Sequence, residues 1–197
     1  VRLRLRDRGQ RPELGLLPLL PEPDAGRCRV AGGGRRALPR LEGCWFDGGS
    51  IWFTETGGGL AGEGALWRYD PPESLDRVDG RGLLTAVFVS TGRPEADNVD
   101  NVTVSPRGGV LMCEDGGNPA GTRLIGLTPE GAAFPFAVND VVLGELPPGR
   151  PDVPARDYCK AEWTGCCFDP SGRWLFANVY DPGFTVAITG PWGQRPL

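Results

Sequence analysis

Oxygen-bearing side chains stand at similar distances before three turn signals. Glu42 lies five residues before Asp47, Asp100 five and Asn98 seven before Ser105, and Glu162 seven before Asp169. Carboxylates and amides brought together at one place repel unless a cation neutralises them. Oxygen-only ligation selects hard ions such as Ca²⁺, Mg²⁺, Mn²⁺ or ferric iron. Glu114–Asp115, which precedes Gly116–Gly117, offers either a second metal-facing pair or the start of a turn. The competing reading of all these acids is that they are solvated loop carboxylates. The chain contains no His. That removes Ser-His-Asp and Cys-His catalysis, His-ligated zinc or haem, and imidazole acid–base work. Any catalysis must use carboxylates, Arg, Lys, Cys, hydroxyls, or a metal held by oxygen and sulfur.

The elements that must position these residues are β-strands. Of 197 residues, 31 are Gly and 20 are Pro, a load that opposes a helical bundle. Apolar content of 40%, with 6 Trp, 8 Phe and 3 Tyr, supplies enough core-forming surface to oppose wholesale disorder. Strand-like runs are expected at 44–46, 50–56, 65–69, 83–90, 101–105, 109–113, 123–128, 132–138, 164–168, 173–180 and 184–189. Turn-forming DGG, DPPES, SPRGG, TPEG and DPSG separate many of them. Long connections remain at 73–80 and 139–157, and no segment shows helical periodicity.

An internal repeat organises these runs. CWFDGGSIWFTET, VTVSPRGGVLMCED and CCFDPSGRWLFANVY share one plan: a short strand, a turn, then a Trp/Leu-rich strand. Aligning Asp47, Ser105 and Asp169 gives steps of 58 and 64 residues. Each step holds about four strands, the signature of β-propeller blades. The expected fold is all-β, an incomplete propeller of about three four-stranded blades, because closed propellers typically have four to eight. The innermost strand of each blade lines the axial channel, so the entry positions carrying Glu42, Asp100 and Glu162 should converge.

Residues 1–39 differ from residues 40–197. The opening RLRLRDRGQR, a Pro/Leu stretch and AGGGRRALPR read as one edge strand, Val1 to Leu5, followed by irregular chain. A basic arm for nucleic acid is disfavoured by the net charge of −4 and the lack of interleaved aromatics. No apolar run approaches the ~20 residues of a membrane-spanning helix, and no targeting signal is evident. GGGLAGEG at 57–64 lacks the pattern of a nucleotide cradle and reads as a hairpin loop. The six cysteines (28, 44, 113, 159, 166, 167) match no disulfide framework or zinc pattern. Cys44, Cys113, Cys166 and Cys167 are expected as buried free thiols, the last two on opposite faces of a strand.

Four long segments carry a family resemblance: RLEGCWFDGGSIWFTETGGG, DNVDNVTVSPRGGVLMCEDG, RLIGLTPEGAAFPFA and EWTGCCFDPSGRWLFANVYDPGFTVAITGPW. From about Arg40 to Trp192 the chain resembles the C-terminal half of PhoX-type alkaline phosphatases. The resemblance implies a propeller enzyme, exported by the twin-arginine route to the periplasm or outside, that hydrolyses small phosphomonoesters with calcium and iron. It implies that Glu42 and Glu162 are metal ligands. It also implies that Asp97–Asn101 and Cys113–Asp115 lie near the channel. Two departures stand out. The family's TCEE-like segment, whose Cys binds iron, has no counterpart here, and neither Cys28 nor Cys44 lies in that context. Lys160, the only Lys, occupies a position where the family often places a phosphate-contacting Arg; it keeps the charge but not the bidentate fork. With its first residue Val and only about three blades, the chain is expected to be partial, with little phosphatase activity alone. A non-catalytic propeller-like binding module and a calcium-dependent propeller lactonase are the alternatives.

Overall fold

A computed structural model of the chain describes residues 4–5, 38–59, 61–72, 82–190 and 192. Twelve strands form in chain order: β1 (Arg4–Leu5), β2 (Leu41–Asp47), β3 (Ser50–Glu55), β4 (Ala65–Asp70), β5 (Leu83–Val89), β6 (Val99–Val104), β7 (Val110–Glu114), β8 (Arg123–Leu127), β9 (Ala133–Val138), β10 (Trp163–Phe168), β11 (Leu175–Val179) and β12 (Phe184–Ile188). β2 to β12 coincide with the eleven expected runs to within a few residues. No α-helix occurs among the described residues.

The strands pair antiparallel in chain order within three sheets: β2-β3-β4-β5, β6-β7-β8-β9, and β10-β11-β12. β1 adds outside β9, with Arg4 opposite Val138 and Leu5 opposite Ala137. Most of 1–39 and all of 73–80 lie outside the described residues. Among the described residues the sheets do not close a ring, so the fold is an incomplete propeller of three blades.

Turn chemistry explains the meander. Gly48 and Gly49, at φ 56° and 86°, form the two-residue link that sets Asp47 opposite Ser50. Both residues need the left-handed region that glycine tolerates and whose twist suits a hairpin. Ser105 and Thr128 instead open Pro-containing loops, each accepting a hydrogen bond from a Gly three residues on. Asp169 caps the third hairpin, its carboxylate accepting from the backbone N–H groups of Ser171 and Trp174.

Alternation of side chains stacks the blades. In the middle blade, Val110, Met112, Ile125 and Leu127 face the first blade, meeting Leu66, Phe88, Trp45 and Trp52. Leu111, Cys113, Leu124 and Ala137 face the third, meeting Trp163, Leu175, Ala177 and Val179. With both faces covered, β7 and β8 are buried throughout and read as continuous apolar runs. Among the described residues, blade one is covered on one face only. Cys44, Phe46 and Ile51 lie on its other side, and Phe46 is 71% exposed. The expectation of four buried thiols is corrected accordingly: Cys113 and Cys166 are buried, Cys44 is exposed, and Cys167 is half-buried on the face opposite Cys166.

Candidate metal centre at the entry of the inner strands

Three local devices bring the inner strands together in one geometry. Each of β2, β6 and β10 carries a register irregularity against its neighbour, between Leu41 and Cys44, Val99 and Val102, and Thr164 and Cys167. An irregularity of this kind re-aims side chains at a sheet end. Glu42 and Asp100 sit inside two of these irregularities. Second, the backbone carbonyl seven residues before each aligned turn residue accepts an N–H from just beyond the blade's second strand. Arg40 pairs with Thr56, Asn98 with Asp115, and Glu162 with Tyr180.

The third device is a cross-blade lock. Fully buried Thr54 accepts the Gly43 N–H at 2.9 Å and donates to the Asp100 carbonyl. Gly43 lets this happen, because a Cβ there would meet the Asp100 carbonyl oxygen at 2.5 Å and the Asn101 Cα at 2.7 Å. On the other side, Thr122 and Asn139 both donate to the Ala161 carbonyl, and the Trp163 indole donates to the Thr122 carbonyl at 3.1 Å. Glu162 is thus fixed between two anchored neighbours.

The outcome is a gathering of four acids, one or two from each blade. Asp100, nearly buried, feels the charges of Glu42 and Asp115 and hydrogen-bonds Glu162. Burial pushes its carboxyl up first, and those two charges push it further. Glu162 is pushed up to about 7, by burial first, then by the charges of Asp115 and Asp100, the hydrogen bond to Asp100, and Glu42. The one described cation against this set is Arg40, whose guanidinium lies 3.8 Å from Glu42 and 3.7 Å from Asp115.

The other sequence-derived candidates lie elsewhere. Glu114 is fully buried and taken by Arg123, which approaches both its oxygens, while the Asp97 and Arg123 backbone N–H groups donate to it. Its side chain is structural. Asn98, held at φ 53°, turns its amide toward Glu63 at 2.9 Å and Asp97 at 3.3 Å rather than toward the four acids. Lys160 is exposed, and its charge acts on Asp157. Arg40 is the residue the sequence reading did not single out. The signal was present: Arg40-x-Glu42 has the same spacing as Lys160-x-Glu162.

Among the described residues, no group of three or more His, Cys, Asp or Glu side chains is placed to hold a metal ion. The chemistry of the donors nevertheless fits a hard cation. Four carboxylates against one guanidinium, two of them driven toward protonation, form an anionic surplus made of oxygen alone.

A family profile described as Alkaline phosphatase PhoX matches residues 25–183, more than half of the chain. No curated protein and no solved structure matches. This chain belongs to the PhoX alkaline phosphatase family.

Proposed function

We propose that the chain carries part of the centre of a metal-dependent phosphomonoester hydrolase, with Glu42, Asp100, Asp115 and Glu162 as its cation-holding side chains. The observation that carries this reading is the mutual electrostatic influence of these four carboxylates, with Arg40 the one described cation beside them. Calcium and iron are the proposed metals, and the periplasm or exterior the proposed location. When bound, hard cations supply charge neutralisation at phosphoryl oxygens and lower the pKa of bound water.

The chain's own residues then divide the work. Asp100, nearly buried and held through its own backbone by Thr54, fixes the centre's position. Glu162 releases a proton on cation binding, since the same oxygens cannot hold both. Glu42 and Asp115, both more exposed, can adjust to the ion's size. Lys160, outside the group of acids, is proposed as a contact for the phosphate as it approaches.

Two measurements test the reading. Calorimetric titration of the 197-residue chain with calcium should give binding that is weakened at least tenfold in Glu162→Gln. No binding by the unaltered chain would sink the proposed centre. Turnover of p-nitrophenyl phosphate with calcium and iron present should stay near background, because three blades leave the ring of ligands open. Robust turnover abolished by Glu162→Ala would show instead that these blades suffice.

A further inference from the structure

We propose that the open face of the first blade receives the open face of the third blade of a second copy, so that two chains of three blades close one ring. The contact needs no bound cation and stands apart from the phosphatase reading.

The register of the repeat carries it. Each blade turns one side, its front, to the blade before it and the other, its back, to the blade after it. Val104, Val110 and Leu127 form the front row of the middle blade and meet Trp45 and Trp52 on the back of the first. Phe168, Leu175 and Ile188 form the front row of the third and meet Leu111 and Phe134 on the back of the middle blade. Counted from the aligned turn residues, the same front row in the first blade is Phe46, Ile51 and Tyr69. The same back row in the third is Cys167, Phe176 and Ala187. These two rows are the ends of the stack, and no sheet covers either among the described residues. Phe46 is 71% exposed, Ile51 36% and Phe176 38%, and Ala187 is exposed too.

The occupant is a second copy because the chain carries both halves of the contact. The front row that lacks a cover matches, by register, the two front rows that a preceding blade's back row covers inside the molecule. Neither open row holds a charged side chain, so a polyanion or an oppositely charged surface would find no counter-charge there. Aromatic and aliphatic side chains without charge are what the buried centre of a lasting interface contains. A contact between unlike faces closes into a ring or runs on as a filament. Two copies of three blades fall within the four to eight of closed propellers, so closure comes at the dimer, with two identical contacts about a two-fold axis. The closed ring repeats this chain's own side chains and adds no others, so the near-background turnover expected above stands.

Sedimentation velocity over a concentration series, under reducing conditions, tests the proposal. The unaltered chain should sediment as a dimer, at twice the 21.1 kDa of one chain. Phe46→Asp, on the front, and Phe176→Asp, on the back, should each raise the dissociation constant at least tenfold. Mixed in equal amounts, the two variants should recover part of the dimer, because the back of one and the front of the other remain intact. Ala187→Arg, exposed and in the same back row, should act as Phe176→Asp does, and it replaces that variant if circular dichroism shows Phe176→Asp to be unfolded. A monomer throughout the series overturns the proposal. So does a dimer broken by Phe46→Asp but by neither back-row variant, which would mean pairing of front with front. Growth past the dimer overturns it as well, because the contacts then fail to close.

Discussion

Two acidic groups lie close together in this molecule and have opposite characters. Glu114, Asp97 and Glu63 face Arg123 and Arg93, with the Asn98 amide between Asp97 and Glu63. Burial raises Glu114's carboxyl and Arg123 pulls it back, so the largest desolvation in the group is met by the best-placed guanidinium. Arg123 also ties the 93–94 segment to β8 through two backbone carbonyls. The other group, Glu42, Asp100, Asp115 and Glu162, has four acids and one loosely held arginine. The same residue types thus make a structural joint in one place and an unbalanced anionic site in the other. Counter-charge separates the two. Where guanidinium forks match the carboxylates, the acids hold the fold; where they fall short, the acids are available to a ligand.

The comparison can be broken at several points. The largest effect belongs to the balanced group. Arg123→Met leaves Glu114 charged, buried and unpaired, and should lower unfolding free energy by about 3–5 kcal/mol in urea titrations. A loss under ~1 kcal/mol would show that the pair is not the joint described. Next comes the lock between the two inner strands. Gly43→Ala drives a Cβ into the backbone of β6 and should cost about 1–3 kcal/mol. It should also weaken calcium binding, because Asp100 moves with that backbone; unchanged affinity would separate the lock from the site.

The smallest effect is on pH dependence. Glu162's carboxyl is raised from 4.5 to about 7 in the fold. A group raised this way adds stability below its unfolded value, and that stability is lost as pH rises through the folded value. The metal-free chain should therefore unfold at lower temperature at pH 8 than at pH 5.5, with most of the decline between pH 5.5 and pH 7. Saturating calcium should flatten that decline, and Glu162→Gln should reduce it without calcium. A decline of equal size in Glu162→Gln would place its origin outside the four acids.

Strand positions were legible because turn residues and alternation act locally. The aligned Asp47, Ser105 and Asp169 open comparable hairpins, and the second-strand ends meet the same carbonyl positions. Glu42, Asp100 and Glu162 were legible because the repeat placed them five or seven residues before its turn residues, whereas Asp115 was read only as half of the Glu114–Asp115 pair. Glu114 and Asp115 are adjacent, yet one points into the core and the other to the acids, since successive residues at a strand end face opposite ways. Cys44 shows the converse failure. Its run is apolar enough for a buried strand, but its face has no covering sheet among the described residues.

The sequence by itself determined the blades, their order and the residues at their entries, because each depends on contacts between neighbours along the chain or on a short-range alternation. Only the tertiary structure decided which acids acquire a partner. Arg123 reaches Glu114 across two paired strands, while Arg40 and Glu162 are more than a hundred residues apart and meet the same group through the packing of three sheets. Charge balance in a folded protein depends on distance in space, and a linear pattern does not record that distance.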